Sequence, residues 1–377
     1  MACERNSNSS NLTWESSSPL VVISILNWNG WRDTLECLQS VRQLEYPNYL
    51  TIVSDNGSRN DSAEKIKAWA EENLGHAGVL ADYRREEALA GGLPETEQAL
   101  DRSPSTLRMV LIRNEENLGF IGGNNNVIHY ALRRKLSTDF VFLVNPDVTV
   151  ASSCLKEMLS VSSRANAAIV GAPVLAGKDP GVAGPQVFSY VRWLFDPLVS
   201  IYATDVEEDE EFSTANMVIG GAELIRRDAL ESLRLSPGEF LDRRLFLGWD
   251  EAEFCHRAGK AGYKIVIAKH ALAYDSGQKG IVGGWASSPY VYYRERNKTL
   301  VAKKVLPPGL RLLFHLTHPP LTVARAAKNL FQGRRKEARA MICGLVDGYR
   351  GIGGKWRWHD RDAVFPGEIA PSKPVPL

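Results

Sequence analysis

Several features that mark other classes of protein are missing from this chain of 377 residues. Lys and Arg together number 45 and Asp and Glu 44, so the chain lacks the positive charge expected of a nucleic-acid coat. It contains no apolar run of about 18 residues, and its first 19 residues carry Ser and Asn where an export signal has an apolar core. We therefore expect a protein that neither spans a membrane nor is secreted by that route.

Cysteine is scarce, and its positions contain no CxxC pair. This pattern is typical neither of a zinc site nor of a disulfide framework, so we expect reduced thiols and a cytoplasmic protein. The five cysteines are Cys3, Cys37, Cys154, Cys255 and Cys343.

Strand and helix patterns alternate along the first half of the chain. Apolar runs at 20–26, 50–54, 109–112 and 139–144 are typical of buried strands, and segments with helical spacing at 33–41, 62–72 and 125–136 lie between them. This alternation predicts an α/β fold with a mostly parallel central sheet flanked by helices. Residues 76–106 have weak periodicity, and we interpret them as an insertion at the edge of the sheet.

Polar side chains follow the predicted strands where each strand ends. Ligands bind at the carboxyl ends of strands in open α/β sheets, so Asn27, Asp55, Asn117 and Asp147 are expected to converge on one crevice. Asn and Asp also form turns after strands, and this plainer interpretation stays open for each residue taken alone.

The C-terminal part of the chain is basic. From residue 290 onward there are 17 Lys or Arg and 6 Asp or Glu. Apolar clusters accompany the charge, which is typical either of a helical appendage resting on an anionic membrane or of helices packed on the domain with a basic face in water. No aromatic stacking platform accompanies the charge, so nucleic acid is not an expected partner.

Five motifs, taken in order, resemble a known family. They are VISILNWNG at 22–30, VSDNGS at 53–58, NLGFIGGNN at 117–125, LVNPDV at 143–148 and WDEAE at 249–253. Together they resemble the family-2-type inverting glycosyltransferases of the GT-A fold, in particular the rhamnosyltransferase-like branch, and the resemblance covers about residues 20–300.

The resemblance implies a division of the chain. A GT-A domain would occupy 20–290, with a nucleotide-sugar-binding half at 20–150 and an acceptor-binding half at 151–290. A basic helical region would follow at 291–365. Composition adds a polar disordered tail at 1–19 and a loose, proline-rich tail at 366–377.

A divalent cation, Mg²⁺ or Mn²⁺, is implied at Asn145-Pro-Asp147, which takes the place of the family's Asp-x-Asp motif. The amide oxygen of Asn145 is a weak neutral ligand, so Asp147 would be the main protein ligand. Many relatives carry a histidine ligand after a later strand, and Asp275 stands at that place here. A simple turn at Asn145–Asp147 is the alternative.

The resemblance also implies a set of donor contacts. Asp55 would accept a hydrogen bond from N3–H of a uracil or thymine base, which suits a carboxylate because it is an acceptor only. The backbone around Asn27, Gly119 and Gly123 would let the nucleotide approach closely. Two further residues are open to two interpretations, since Asn124 either contacts the donor or caps a helix. Arg296 either contacts phosphate or lies on a helix surface.

The acid pair Asp250-Glu251 corresponds to the family's Glu-Asp pair. Inverting transfer needs a base that takes the proton of the acceptor hydroxyl, and Glu251 is the first candidate because the second acid usually has this role. Asp250 would orient the acceptor or the base. Two acids at a helix start also interact favourably with the helix dipole, so a purely structural role is the alternative.

These features predict an inverting, metal-dependent glycosyltransferase that moves a sugar from a dTDP or UDP donor to a glycan or lipid-linked acceptor. dTDP-rhamnose is the first donor candidate, and UDP-galactofuranose or another UDP-hexose is the second. The expected location is the cytoplasm or the inner face of the membrane. A sugar nucleotidyltransferase and a non-catalytic glycan- or nucleotide-binding module are the alternatives from other classes.

Overall fold

The computed structural model describes residues 18–134, 136–176, 209–275 and 287–358. Nearly all of the predicted tail at 1–19 lies outside these residues, as do the tail at 366–377 and the end of the predicted basic region.

A large sheet forms the centre of the described structure. Its strand order is β3-β4-β2-β1-β5-β10-β7-β11-β9. The strands are β1 (Val21–Asn27), β2 (Tyr49–Asn56), β3 (Val79–Arg84), β4 (Arg108–Asn114), β5 (Phe140–Val144), β7 (Ala167–Gly171), β9 (Phe212–Thr214), β10 (Ala222–Arg226) and β11 (Lys264–Ala268).

The sheet is mostly parallel. All neighbouring pairs from β3 to β5 are parallel, and so are β7 and β11, whereas β10 runs antiparallel to both β5 and β7. Every residue of β1 and β2 is buried, because helices cover both faces of the sheet. This burial explains why the strands are continuous apolar runs in the sequence.

Helices follow the strands in the order expected of a parallel sheet. They are α1 (Trp31–Val41), α2 (Ser62–Leu74), α3 (Arg85–Leu89), α4 (Pro94–Arg102), α5 (Gly119–Arg133), α6 (Cys154–Ala165), α7 (Arg227–Ser232) and α8 (Asp250–Lys260). Two apolar clusters, one on each face of the sheet, form the main core.

Residues 76–106 contain regular structure that the sequence did not predict. They form the edge strand β3 and helices α3 and α4. The carboxylate of Glu97 on α4 accepts hydrogen bonds from the hydroxyls of Tyr83 and Tyr130 and pairs with Arg134. This buried polar cluster ties the segment to α5.

A second, small sheet has the order β6-β12-β8 and lies next to the turn after β5. Its strands are β6 (Val148–Val150), β8 (Val174–Ala176) and β12 (Ala273–Asp275). Three long helices complete the described chain: α9 (Ser288–Val305), α10 (Pro308–Phe331) and α11 (Arg335–Arg350). Among the described residues, no helix combines the length and hydropathy needed to cross a bilayer.

Candidate active site

The ends of β1 and β2 bring Asn27 and Asp55 together. These residues are register partners in the parallel pair, and Asn27 Nδ2 donates a hydrogen bond to Asp55 Oδ1 at 2.6 Å. Asp55 also accepts hydrogen bonds from the hydroxyl and the backbone N–H of Ser58, and Thr34 donates to Asn27 Oδ1. Asp55 Oδ2 takes only the backbone bond among these, so it keeps capacity to accept a further hydrogen bond.

A network of asparagines connects α5 to the central strands. Asn117 Oδ1 accepts from Asn56 Nδ2 and from the backbone N–H of Gly119. Asn124 is buried, where its Oδ1 accepts from Ser24 and its Nδ2 donates to the carbonyl of Phe120. Neither expectation for Asn124 agrees with the structure, because α5 begins at Gly119 rather than near residue 125 and both ends of the amide bond within the protein.

Two glycines of α5 lie where other parts of the protein come very close. Gly119 has a φ of +76°, and a Cβ there would lie 2.3 Å from the carbonyl oxygen of Phe246. A Cβ on Gly123 would lie 2.3 Å from Cδ1 of Leu26 on β1. At both positions the protein itself leaves no space for a side chain, whether or not a nucleotide also approaches.

The turn at Asn145–Asp147 connects β5 of the large sheet to β6 of the small one. The backbone N–H of Asn145 donates to Gly221, and the carbonyl of Asn145 accepts from Val148. In the small sheet Asp275 is the register partner of Val148, so Asp275 lies beside Asp147. Burial and the negative charge of Asp275 raise the pKa of Asp147 to about 6.

Two neighbouring carboxylates whose charges interact are suited to a divalent cation. Oxygen ligands suit Mg²⁺ and Mn²⁺, and a cation would offset the repulsion between Asp147 and Asp275. Within the described ranges, no group of three or more His, Cys, Asp or Glu side chains is arranged to hold a metal. The pair would therefore need further oxygen ligands from a diphosphate and water.

The acid pair at 250–251 lies at the start of α8, after a loop with an unusual backbone. Phe246, Gly248 and Trp249 have φ values of 63°, 72° and 71°, a region that residues with side chains seldom adopt. Such conformations persist only where surrounding contacts hold them.

Arg296 and Asn297 of α9 supply those contacts. Arg296 is completely buried, and its Nη2 donates to the carbonyls of Arg244 and Leu245 at 2.8 and 2.7 Å. Asn297 Nδ2 lies 2.8 to 3.0 Å from the carbonyl oxygens of Leu245, Leu247 and Gly248. Both expectations for Arg296 are therefore corrected, because a guanidinium buried against loop carbonyls is neither a phosphate contact nor a helix-surface residue.

Glu251 is the more accessible acid of the pair. Its side chain is half-buried, and its Oε1 accepts the backbone N–H of Gly220 at 3.1 Å. Burial raises the pKa of Glu251, while its own backbone N–H and that of Gly220 oppose the shift. Asp250 is 3% exposed, and its Oδ1 has no hydrogen-bond partner among the described residues. Burial and the charge of Glu251 raise the pKa of Asp250 well above its ordinary value.

A third buried acid, Glu223 of β10, lies close enough to interact with both. Glu223 is 4% exposed, and its Oε1 has no hydrogen-bond partner within the described structure. Burial, followed by the charge of Glu251, raises its pKa to about 8. Three acids thus meet with few hydrogen bonds, and we name Glu223, Asp250 and Glu251 the acid cluster.

Glu253, the next acid on α8, lies in a different environment. It is buried against Arg257 and Lys304, with Lys304 Nζ 2.8 Å from its Oε1. Lys304 also contacts Asp242 at 2.6 Å. These cations neutralise Glu253, so it belongs to a structural ion-pair network.

Glu223 was not among the residues that the sequence pointed to. A signal existed for Glu223, because it is the single charged residue in the apolar stretch 217–225. A charge in such a stretch marks a buried acid that needs an explanation. Asn297 belongs to the Arg296-Asn297 element that resembles part of the family near the donor diphosphate, but its contacts with carbonyls about 50 residues earlier in the chain were not predicted.

Comparisons with known proteins agree with this architecture. No protein-family model matches the chain. It is 22% identical over 245 residues to the low-salt glycan biosynthesis hexosyltransferase Agl10 of Haloferax volcanii, which covers 63% of this chain and 75% of that protein.

Two solved structures of TarS from S. aureus are similar in fold. One, of residues 1–349 of TarS, matches with a TM-score of 0.50, 12% identity and coverage of 89% of this chain and 81% of that chain. The other, a complex with UDP-GlcNAc, matches with a TM-score of 0.51, 12% identity and coverage of 89% and 82%. The predicted fold class is confirmed: the chain has the mixed α/β architecture of the GT-A glycosyltransferases.

Proposed function

We propose that the protein is an inverting glycosyltransferase that uses a nucleoside-diphosphate sugar. The observation that carries this proposal is the half-buried carboxylate of Glu251 at the start of α8, which accepts a hydrogen bond from the backbone N–H of Gly220. It lies in a fold whose central strands end in polar side chains. The hexosyltransferase name of the H. volcanii relative and the bound UDP-GlcNAc in TarS support the same reaction class.

In the proposed reaction Glu251 takes the proton of the acceptor hydroxyl. The acceptor oxygen then forms a bond to C1 of the sugar as the bond from C1 to the diphosphate oxygen breaks on the opposite face. A raised pKa makes Glu251 a stronger base near neutral pH, and the two backbone N–H groups keep its charged form accessible. Asp250, which is more buried, is proposed to stay protonated beside it.

The leaving nucleoside diphosphate gathers negative charge as the bond breaks. Asp147 and Asp275 would hold Mg²⁺ or Mn²⁺, which supplies positive charge next to that group. Asn145 is a weak additional oxygen ligand. On the nucleotide side, Oδ2 of Asp55 is proposed to accept the N3–H of thymine or uracil, with Asn27 and Asn117 fixing the walls of the site.

dTDP-rhamnose is the first donor to test, on the strength of the motif resemblance, and UDP-galactofuranose and other UDP-hexoses come next. A glycan or lipid-linked hydroxyl is the proposed acceptor. The glycan-biosynthesis name of the H. volcanii relative supports this class of acceptor.

The test is a donor panel with the purified full chain. dTDP-rhamnose, UDP-galactofuranose, UDP-glucose and GDP-mannose are incubated with and without Mn²⁺, and released nucleoside diphosphate is measured together with the thermal midpoint. We expect one pyrimidine donor to stabilise the protein and to release its nucleoside diphosphate, with both effects stronger in Mn²⁺.

Other outcomes separate the alternatives. Pyrophosphate released from a nucleoside triphosphate and a sugar phosphate would identify a nucleotidyltransferase. Stabilisation by a nucleotide with no turnover on any glycan or lipid acceptor would identify a binding module. Retention of the anomeric configuration in the product would contradict the inverting mechanism.

A further inference from the structure

Helix α10 leaves most of its apolar side chains uncovered. Its buried positions, Phe314, His318, Thr322 and Ala326, recur every four residues and form the face that packs on the rest of the chain. Apolar side chains on the other faces are strongly exposed: Leu312, Leu313, Leu316, Leu321, Val323, Leu330 and Phe331 are 48% to 92% exposed. We name these seven residues the α10 stripe.

The stripe has a charge-free centre of four residues, from which Leu313 and Phe331 are offset by about 60–100° and Leu321 by about 140–180°. At 100° per residue, Leu312, Leu316, Val323 and Leu330 fall within about 40° of one another, on the side of the helix facing away from His318. The basic side chains of the helix, Arg311, Arg325 and Lys328, lie outside this arc, and α10 carries no acidic residue. From Leu312 to Phe331 the stripe extends over about 28 Å of the helix axis.

Positive charge surrounds this apolar surface. Residues 306–358 contain ten Lys or Arg and two Asp or Glu. Three of the basic residues, Arg334, Arg335 and Lys336, begin three positions after Phe331. Phe331 is 92% exposed, and all three basic residues are exposed. An apolar face bordered by cations is the pattern of a helix that lies in the headgroup region of an anionic membrane.

Charge also argues against a second copy of the chain as the occupant. Two such surfaces would bring about eight net positive charges of each copy together, and this repulsion opposes a symmetric contact. Anionic lipid headgroups complement the same charge, and polybasic segments gain roughly 1 kcal/mol per Lys or Arg near such a surface.

We propose that the α10 stripe and its basic border dock the protein on an anionic lipid bilayer. The helix would lie along the surface with its apolar side chains at the level of the headgroups. Helix α9, which precedes α10, holds the loop before Asp250 through Arg296 and Asn297. Docking would therefore hold the acid cluster at a fixed position relative to the lipid surface, which suits a lipid-linked acceptor. The docking itself does not rest on the proposed function.

The test is flotation of the full chain with two kinds of vesicle, phosphatidylcholine alone and equal parts phosphatidylcholine and phosphatidylglycerol. We expect flotation with the anionic vesicles, about tenfold weaker binding to the neutral ones, and release at high salt. The double substitution Leu316→Glu with Phe331→Glu is expected to weaken anionic-vesicle binding at least about tenfold. Both side chains are exposed, so the fold is expected to persist, as circular dichroism would show.

Leu93→Glu is the matched control, because Leu93 is 49% exposed at the start of α4, outside the stripe. It should bind vesicles like the wild type. Absence of flotation with anionic vesicles would overturn the proposal, and so would unchanged binding by the double variant. A wild-type dimer that the double variant converts to a monomer, seen by light scattering, would overturn it in favour of a second copy. Nucleotide stabilisation, measured in parallel without lipid, tests the proposed function separately.

Discussion

The two parts of the candidate site differ in how fully their buried polar groups are hydrogen-bonded. At the ends of β1 and β2, Asn27 and Asp55 bond to each other and to Ser58 and Thr34. In the acid cluster, Glu223 and Asp250 each keep a buried oxygen with no partner among the described residues. The first region is stabilised by its polar contacts, whereas the second carries an electrostatic cost in the folded state.

This difference supports the separate roles that we propose for the two regions. A satisfied hydrogen-bond network makes a rigid wall, which is what recognition of a base and ribose requires. Acids whose pKa values are raised by burial and by one another are poised to exchange protons near neutral pH. Glu253 strengthens the contrast, because it lies on the same helix as Glu251 but is neutralised by Lys304 and Arg257.

The largest expected effect is on turnover in the acid cluster. Glu251→Gln keeps the shape of the side chain but removes the base, so we expect turnover to fall about 1,000-fold. The thermal stabilisation by the nucleotide donor should remain, because the donor contacts lie on other strands.

Glu95→Gln, on the exposed surface of α4, is the control and should retain full activity. If Glu251→Gln kept more than a tenth of wild-type turnover, roughly 1.4 kcal/mol or less of the barrier would depend on this base. The assignment of the base would then be wrong.

The next prediction concerns the free energy of unfolding and tests the hydrogen-bonded region around Asn27 and Asp55. Asn27→Ala removes three hydrogen bonds and leaves Asp55 and Thr34 short of partners in a buried environment. We expect the free energy of unfolding to fall by about 2 kcal/mol, measured by urea denaturation. Gln98→Ala, an exposed amide on α4, should change it by less than about 0.5 kcal/mol. If the two variants were equally stable, the hydrogen bonds of Asn27 would not stabilise the fold, and this region would not differ from the acid cluster in that respect.

Glu223→Gln should raise the free energy of unfolding, and the size of this increase should depend on pH. The folded-state pKa of Glu223, about 8, lies above its ordinary value of 4.5, so its favourable contribution is present below pH 4.5 and is lost as the pH rises toward 8. Asp250, Glu251 and Cys255 of α8 are the titratable groups whose charges it interacts with. The variant should therefore match the wild type near pH 4.5 and be more stable by roughly 4 kcal/mol at pH 8.

Glu253→Gln is the matched control for this measurement. It removes the carboxylate that pairs with Arg257 and leaves Lys304 with Asp242 alone, so we expect a loss of about 3 kcal/mol. If Glu223→Gln also destabilised the protein at pH 8, the carboxyl of Glu223 would have a partner in the folded state, and the acid cluster would not be strained.

The sequence predicted best those elements whose cause is local. β1 and β2 are apolar runs that must be buried, and the structure places them within a residue or two of the expected bounds. The start of α5 was missed by six residues, because Gly119 to Asn124 are weak helix formers that are helical only through packing on Phe246 and Leu26.

The roles of Arg296 and Glu223 could not be predicted for a different reason. Arg296 acts on carbonyls about 50 residues away, and the neighbours of Glu223 are brought to it by an antiparallel strand inserted into a parallel sheet. Sequence spacing carries no information about such contacts. The acid pair at 250–251 was found because motif order, not local propensity, pointed to it.

The smallest expected effect is on the stability of variants of Asp147, a residue that shares features of both regions. Its charge is opposed by Asp275, as in the acid cluster, yet a bound cation would satisfy it, as hydrogen bonds satisfy Asp55. Asp147→Asn removes the repulsion, so without metal we expect a variant as stable as the wild type or up to about 1 kcal/mol more stable. In Mn²⁺ with the nucleoside diphosphate, its thermal stabilisation should be smaller than that of the wild type, because an amide is a weaker ligand. Asp275→Asn should behave in the same way, since the two carboxylates oppose each other. A variant that lost stability without metal and responded fully to Mn²⁺ would instead indicate that Asp147 has a structural role in the turn.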